Sequence, residues 1–472
     1  MDKNKKILIV GAGIAGKILK NDIEKNHKNI KIAGFIDDAK GTNEMRVLGE
    51  VDDLVDIEKK YGIDEVVIAI PSANGELVRR ILLNNLQNRM PIKIVPRDQR
   101  IIRQCDVRYS KVKDLDFEDF LGRPFIRKDI QKLFAFYRNK KILVTGGAGS
   151  IGSEIVKQLL DLGAKKVIIY DNSEYLIFDL SQRLKESGIE SNKFRLIVGN
   201  ILNYDKLEFI VKCEKPNLIF HAAAYKHVHL MQENIDEAVI NNVIGTKNVV
   251  DIAIKNKVNR FTFISTDKAV NPTSIMGATK KLCEFYIKSL SEVKTKFNIV
   301  RFGNVINSNG SVLPLFERQI REGKFITITD KKMERFFMSI REASQLVINS
   351  TAFGRSGDIF ILNMGELINI YKTGLCVIRS KNFIPEKDVK IKITGLRKGE
   401  KMIEELFTES EKNNLIKTGM KDIFRLKNFE CCSKEINVII SDLENMTKKY
   451  TLGSKNALKK YFKEIFPSIK AE

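Results

Sequence analysis

The sequence predicts an α/β protein of two doubly wound parallel-sheet units, the second with an appended mixed α/β substrate-binding lobe. Three observations predict it. Short apolar runs alternate with amphipathic helical stretches, as parallel strands covered on both faces require. The alternation occurs twice, up to about residue 97 and again from Lys140 onward. Each series opens on a strand that enters a glycine-rich turn, Gly11-Ala-Gly13-Ile-Ala-Gly16 and Thr145-Gly-Gly-Ala-Gly-Ser-Ile-Gly152. A length of 472 residues suits two or three domains of about 150 residues each.

In the first series, strands are expected over 6–10, 30–36, 65–70 and 92–95, with helices over 15–26 and 74–88. The rhythm then weakens into a basic connector, 98–139, containing Glu118-Asp-Phe-Leu-Gly-Arg-Pro124. The second series places strands over 141–144, 166–170, 195–198, 218–220, 260–264 and 297–301. Beyond Asn304 the elements shorten, as in a substrate lobe running to about residue 430, and the Lys-rich tail after Lys434 reads as helical. The expected domains are therefore 1–97, the connector, and 140–472 with its nucleotide core over 140–305.

Hydrophobic residues make up 43% and charged residues 30%, enough for packed cores and against disorder. With 81 basic and 59 acidic residues the net charge is +22, which favours anionic partners or simply marks a Lys-rich surface. No basic helix, zinc pattern or aromatic RNA-binding motif supports nucleic acid. Cys105, Cys213, Cys283, Cys376, Cys431 and Cys432 form no CxxC pair, so a reducing cytoplasm is expected rather than a disulfide framework. His27, His221, His227 and His229 lack metal-ligand spacing, so no metal is expected. No signal-type stretch opens the chain and no apolar run reaches the roughly 18 residues of a spanning helix. The expectation is a soluble, cytoplasmic protein without transmembrane segment; peripheral contact with a membrane stays open.

Glycines at such a turn let a diphosphate approach a helix N-terminus, which makes both units Rossmann-type in pattern. In the first unit Asp37 and Asp38 close the second strand where an acid would meet a ribose, but a purely structural unit fits equally and its ligand is left open. In the second, Gly146, Gly149 and Gly152, with Ser150 and Ile151 between them, have the TGxxGxxG spacing that resembles extended short-chain dehydrogenase/reductase enzymes. Asp171 ends the next strand, where a carboxylate accepts from the ribose hydroxyls and repels a 2′-phosphate, favouring NAD over NADP. Asn200 and Ile201 follow the third strand on the adenine side, and Ala222 and Ala223 follow the fourth, small enough to let the backbone lie against the cofactor.

After the fifth strand comes Ser265-Thr266-Asp267-Lys268, and then Met276-Gly277-Ala-Thr279-Lys280. Ordinary members of that superfamily place a Tyr four residues before the helix Lys; here Met276 stands there. This run, with His221–Val228, Asn241–Thr246, Arg301–Val305, Arg335–Met338 and Thr394–Lys401, closely resembles the large UDP-N-acetylglucosamine 4,6-dehydratases of bacterial polysaccharide and glycan biosynthesis. The resemblance covers nearly the whole chain, departs at 364–379, and places the start of the chain after the membrane helices that large members carry.

The resemblance implies a reaction in which C4 of the sugar is oxidised, the C5 proton and C6 hydroxyl leave, and C6 is reduced, with NAD regenerated and configuration at C5 retained. It assigns Lys268 as C5 base, Asp267 as O6 acid, Thr266 to O4, and Lys280 to the nicotinamide ribose. What deprotonates O4 without a Tyr is open; Thr266 relaying to Asp267 or to water is one route. Asn304 and Arg335 would meet the UDP diphosphate, Arg397 and Glu400 its nucleotide side, and Lys226 and His227 the sugar. A homo-oligomer, dimeric through helices flanking Lys280, carries over from the superfamily. A UDP-sugar 4-epimerase and a catalytically silent NAD- or UDP-sugar-sensing scaffold are the alternatives.

Overall fold

The computed structural model describes residues 5–39, 45–96, 107–121, 130–290, 293–420, 422–427, 433–448 and 454–469. The chain packs into two compact units: residues 1–126, 310–333 and 368–395 form one, and 127–309, 334–367 and 396–472 the other.

In the first unit, β1 (Lys5–Val10), β2 (Ile30–Ile36), β3 (Val47–Gly49), β4 (Glu65–Ile68), β5 (Ile92–Ile94) and β6 (Lys113–Asp114) form one sheet in the order β3-β2-β1-β4-β5-β6. All neighbours are parallel except β5 and β6. Ile7 and Ile9 pack against Leu19 and Ile23 of the helix Ile14–Asn26, the face that its spacing of apolar residues predicts. Glu65, almost wholly buried, is neutralised by Lys5 at 2.8 Å and Lys93 at 3.2 Å. In the connector, Phe120 is buried in the helix Phe117–Leu121 and Arg79 donates to its carbonyl at 2.8 Å. The Gly122-Arg-Pro124 end of that motif lies outside the described residues.

Two segments that the sequence rhythm assigns to the substrate lobe, 310–333 and 368–395, pack into this first unit. The helix Ile370–Ser380 lies against Gly75–Asn84 and carries the fully buried Arg379. Its Nε donates to the carbonyl of Asn85 at 2.7 Å and an Nη to that of Met90. The Asn85 carbonyl lies just past the end of the helix Gly75–Asn84, where no intrahelical donor is available. Burial pushes the Arg379 guanidinium down to about 10.

In the second unit, β7 (Lys141–Thr145), β8 (Lys166–Asp171), β9 (Phe194–Val198), β10 (Leu218–His221), β11 (Arg260–Ile264) and β12 (Lys296–Arg301) are parallel in the order β9-β8-β7-β10-β11-β12. Strand Asp358–Leu362 adds to β12 in parallel, and Ile423–Leu426 and Leu415–Lys417 follow antiparallel, giving nine strands. The expected strands are present with ends displaced by at most two residues. The strand order reverses between β7 and β10, which opens a crevice at their carboxyl ends. The helix Ile275–Ser289 is buried from Ile275 through Glu284. The helices Ser433–Lys448 and Ser454–Ile465 bring Leu443, Leu458 and Phe462 into the same core, so the Lys-rich tail is a packed part of this unit. No helix among the described residues is long and apolar enough to cross a membrane.

A buried ionic cluster sits at the end of β12. Arg301, at the end of β12, donates to both oxygens of Glu284 at 2.7 and 2.6 Å and to both of Glu411 at 3.0 and 2.9 Å. Burial would raise the Glu284 carboxyl, but Arg301 and Lys281 outweigh it and hold it below the usual range. A depressed folded value stabilises the protein above the unfolded pKa, and that stability is lost as pH falls through the folded one. Arg301→Met should therefore cost about 3–5 kcal/mol in urea unfolding at pH 7, by leaving two buried carboxylates with only the more distant Lys281 between them. Acidification should shrink the difference between variant and wild type; a constant difference would contradict the pairing.

Candidate active site

The glycine turn after β7 is shaped by close approach. Gly146 has φ +65°, and a Cβ there would lie 2.5 Å from the Ala223 nitrogen; a Cβ on Gly152 would lie 2.1 Å from the Gly146 carbonyl oxygen. Gly149 is open, its Cβ direction meeting only the Gly146 oxygen at 3.4 Å. Ser150 and Ile151 begin the helix Ser150–Asp161 there, both half-buried. Asp171, at the end of β8, accepts from the Ala148 and Ser173 backbone nitrogens, each at 3.0 Å, which fixes its carboxylate beside the turn. An open glycine face at a helix N-terminus with an oriented acid alongside fits a dinucleotide. Asn200 turns its Oδ1 to its own chain, accepting from Leu202 at 2.9 Å, while Ile201 is buried and Ala222 and Ala223 are half-buried. His221 lies between Thr145 Oγ1 at 2.6 Å and Thr246 Oγ1 at 2.9 Å. Burial pushes its pKa down to about 3, so it is a neutral core group.

At the end of β11 the chain turns through Thr266, Asp267 and Lys268. Asp267 is fully buried; its Oδ1 accepts from Thr266 Oγ1 at 2.9 Å and from Lys268 Nζ at 3.0 Å, and its Oδ2 has no hydrogen-bond partner among the described residues. Lys268 Nζ also donates to Asn304 Oδ1 at 3.0 Å and stands 3.6 Å from Glu404 Oε1. Burial lowers the Lys268 pKa, but Asp267 and Glu404 outweigh it and the net effect is a rise, so this geometry holds an ammonium at neutral pH.

Strand pairing assembles this cluster. Asn304 pairs with Phe337 in a short parallel ladder, which brings the Arg335 motif to the Arg301–Val305 motif. Glu334 bridges to Ile403, which brings Glu404 in from the other side. Arg335 is buried, and its Nη groups donate to the carbonyls of Glu334, Met402 and Lys401 at 2.7, 3.0 and 2.8 Å. Its guanidinium is thus a strut for the 401–404 segment and presents no open fork to a diphosphate.

Met276 and Lys280 share one buried helix, as their spacing predicts, but Met276 packs into the apolar core. Lys280 Nζ stands 3.9 Å from the Phe263 ring centroid, and burial pushes it down to about 8. Of the residues expected at the sugar, Lys226 is exposed and His227 half-buried. Their segment is fixed by Asn242, which accepts from the Tyr225 nitrogen at 2.8 Å and donates to its carbonyl at 3.0 Å. Arg397 is exposed, and Glu400 closes its own turn by accepting from the Arg397 nitrogen at 3.3 Å. Sequence reasoning missed Glu404 and Asn242. Asn242 lay inside a quoted motif, whereas nothing in the spacing ties Glu404 to Lys268.

Residues 142–428 match the family described as polysaccharide biosynthesis protein, and residues 1–96 match one described as CoA-binding domain. The capsular polysaccharide biosynthesis protein CapD of Staphylococcus aureus is 35% identical over 461 residues, 95% of this chain and 76% of that protein. A UDP-glucose 4-epimerase of Rickettsia rickettsii is 35% identical over 282 residues, 58% of this chain and 79% of that one. Among solved structures, Pen from Bacillus thuringiensis superposes with a TM-score of 0.57 at 34% identity, covering 65% of this chain and 99% of that one.

Gly277 tests how tightly the cluster is built, since a Cβ there would lie 2.2 Å from the Lys268 carbonyl oxygen. Gly277→Ala must move either the helix or Lys268. Overpacking of this kind costs about 1–3 kcal/mol, and a displacement of about 1 Å near reacting groups costs about 10²-fold in rate. Thermal melting and turnover should both fall; an unchanged melting temperature would show that the contact relaxes freely.

Proposed function

This chain belongs to the polysaccharide biosynthesis protein family, and on that premise we propose that it is an NAD-dependent UDP-N-acetylglucosamine 4,6-dehydratase. The observation that carries the reading is the Asp267–Lys268 pair at 3.0 Å, its carboxylate fully buried and its ammonium partly so, with Thr266 on the same carboxylate oxygen.

NAD, when bound at the Gly146–Gly152 turn, supplies oxidation at sugar C4 and the later reduction at C6. The ionic pair contains the two groups that elimination needs, one proton transfer away. Moving a proton from Lys268 Nζ to Asp267 Oδ1 gives a neutral amine to take the C5 proton and a carboxylic acid to give one to the departing O6. Net charge is unchanged, and low dielectric narrows the gap between the two forms by penalising both ions. Thr266 Oγ1 is held by Asp267, which suits it to orient O4. Lys280, still largely cationic at pH 7, holds the nicotinamide ribose, and Met276 contributes shape rather than a proton. Asn304 joins Lys268 to the diphosphate side, and Lys226, His227, Arg397 and Glu400 line the approach of the sugar and nucleotide.

A UDP-sugar 4-epimerase is the second reading, favoured by the similarity to the Rickettsia epimerase. It works at C4 alone and leaves a C5 base idle. Incubation with UDP-N-acetylglucosamine, followed by NMR of the sugar, should show a 4-keto-6-deoxy product; recovery of UDP-N-acetylgalactosamine or of unchanged substrate would sink the dehydratase reading. Lys268→Ala should cut product formation by about 10²–10⁴-fold and stop exchange of solvent deuterium into C5. Asp171→Ala should weaken NAD more than NADP, since only NAD carries the 2′-hydroxyl that the carboxylate accepts from. Equal losses in titrations with the two cofactors would contradict that role.

A further inference from the structure

We propose that Glu404 is a positioning residue of the Asp267–Lys268 pair: it faces the Lys268 ammonium and keeps the couple in its ionic form until the reaction draws the proton away. This rests on the dehydratase reading only for its effect on rate; the interaction with Lys268 stands apart from it.

An ammonium has three donors and no acceptor. Asp267 Oδ1 and Asn304 Oδ1 take two at 3.0 Å, and Glu404 Oε1 stands 3.6 Å from the same nitrogen. Glu404 is only 4% exposed, and its Oε2 has no hydrogen-bond partner among the described residues. Glu284, the structural carboxylate, differs: both its oxygens accept from Arg301, and one also from Ser265 at 2.7 Å. A carboxylate buried with so few hydrogen bonds has nearby cations as its principal partners. Two stand beside it, Lys268 and Arg335, whose Nε is 3.8 Å from the same Oε1. Arg335 is pinned by carbonyls on the Glu404 segment itself, so its position is set by the backbone, whereas Lys268 belongs to the proposed reacting pair. The charged groups facing Lys268 are thus Asp267, Glu404 and Arg335, two anions and one cation. Removing one anion must loosen the Lys268 proton, whichever direction Lys268 moves protons in catalysis.

The test is E404Q, which keeps the shape and removes the charge. Lys268 is partly exposed, with 20% of its side chain accessible, so reductive methylation by formaldehyde and cyanoborohydride can read its neutral fraction by mass spectrometry. An opposite charge at this range shifts a pKa by about one unit or more, so at pH 9 Lys268 of E404Q should methylate about ten-fold faster than in wild type. The limb of the kcat profile that reports Lys268 should move about one unit toward lower pH, and kcat should change more than KM. E404D, with its charge one methylene farther away, should shift both readouts in the same direction and by less. If E404Q does not fold, E404D decides. Labelling within two-fold of wild type in the folded variant, or a lower melting temperature with no movement of the pH limb, would overturn the proposal and leave Glu404 a packing residue. Faster labelling in a protein that does not dehydrate UDP-N-acetylglucosamine would support the Glu404 role and remove the dehydratase reading instead.

Discussion

The active unit depends on Arg301 and the two carboxylates it holds. Arg301 ends β12, Glu284 lies on the helix that carries Lys280, and Glu411 belongs to a short turn whose capping box it closes with Thr408. Ser265, one residue before the reactive run, donates to the same Glu284. Two residues past Arg301, the chain sets Gly303 so close to Asp267 that a Cβ would stand 2.9 Å from Oδ2. One guanidinium thereby ties a strand end, a helix and the Thr408–Glu411 turn together. Taking these charges out of water has a cost of several kcal/mol per ion, so the cluster is better understood as setting geometry than as adding stability.

That geometry places the candidate reacting groups off the helix. With Met276 in the apolar core, no phenol stands four residues before Lys280, and the titratable groups gather instead on the 266–268 turn and on strands paired to it. A buried couple of opposite charge can exchange a proton without changing net charge. In the proposed dehydratase reaction it would serve as both base and acid in one elimination, its neighbours setting the balance. Lys280 stays apart over the Phe263 ring, whose face attracts the ammonium while burial penalises it.

The two units solve the same backbone problem in the same way. In the first, Asp37 accepts from the Ala12 nitrogen at 2.6 Å and from Ala39 at 2.9 Å; in the second, Asp171 accepts from Ala148 and Ser173. A Cβ on Gly16 would lie 2.1 Å from the Gly11 oxygen, as one on Gly152 would from Gly146. A strand that turns at once into a helix brings the helix's first turn onto the strand's last carbonyl, and only glycine permits that approach.

The sequence by itself determined the strands, the two glycine turns, Asp171 at its strand end, and the 265–268 run with Lys280 on one helix face. All of these are encoded locally, by periodicity, by turns that exclude a Cβ, and by short contiguous motifs. Tertiary structure alone decided that 310–333 and 368–395 pack with the N-terminal unit, because a buried Arg379 needs carbonyls from a distant helix end. It alone placed the tail helices in the core, turned Arg335 from an open fork into a backbone strut, and set Glu404 against Lys268. Those outcomes rest on contacts between residues far apart in the chain, and a carboxylate's partner across such a distance has no periodicity to announce it.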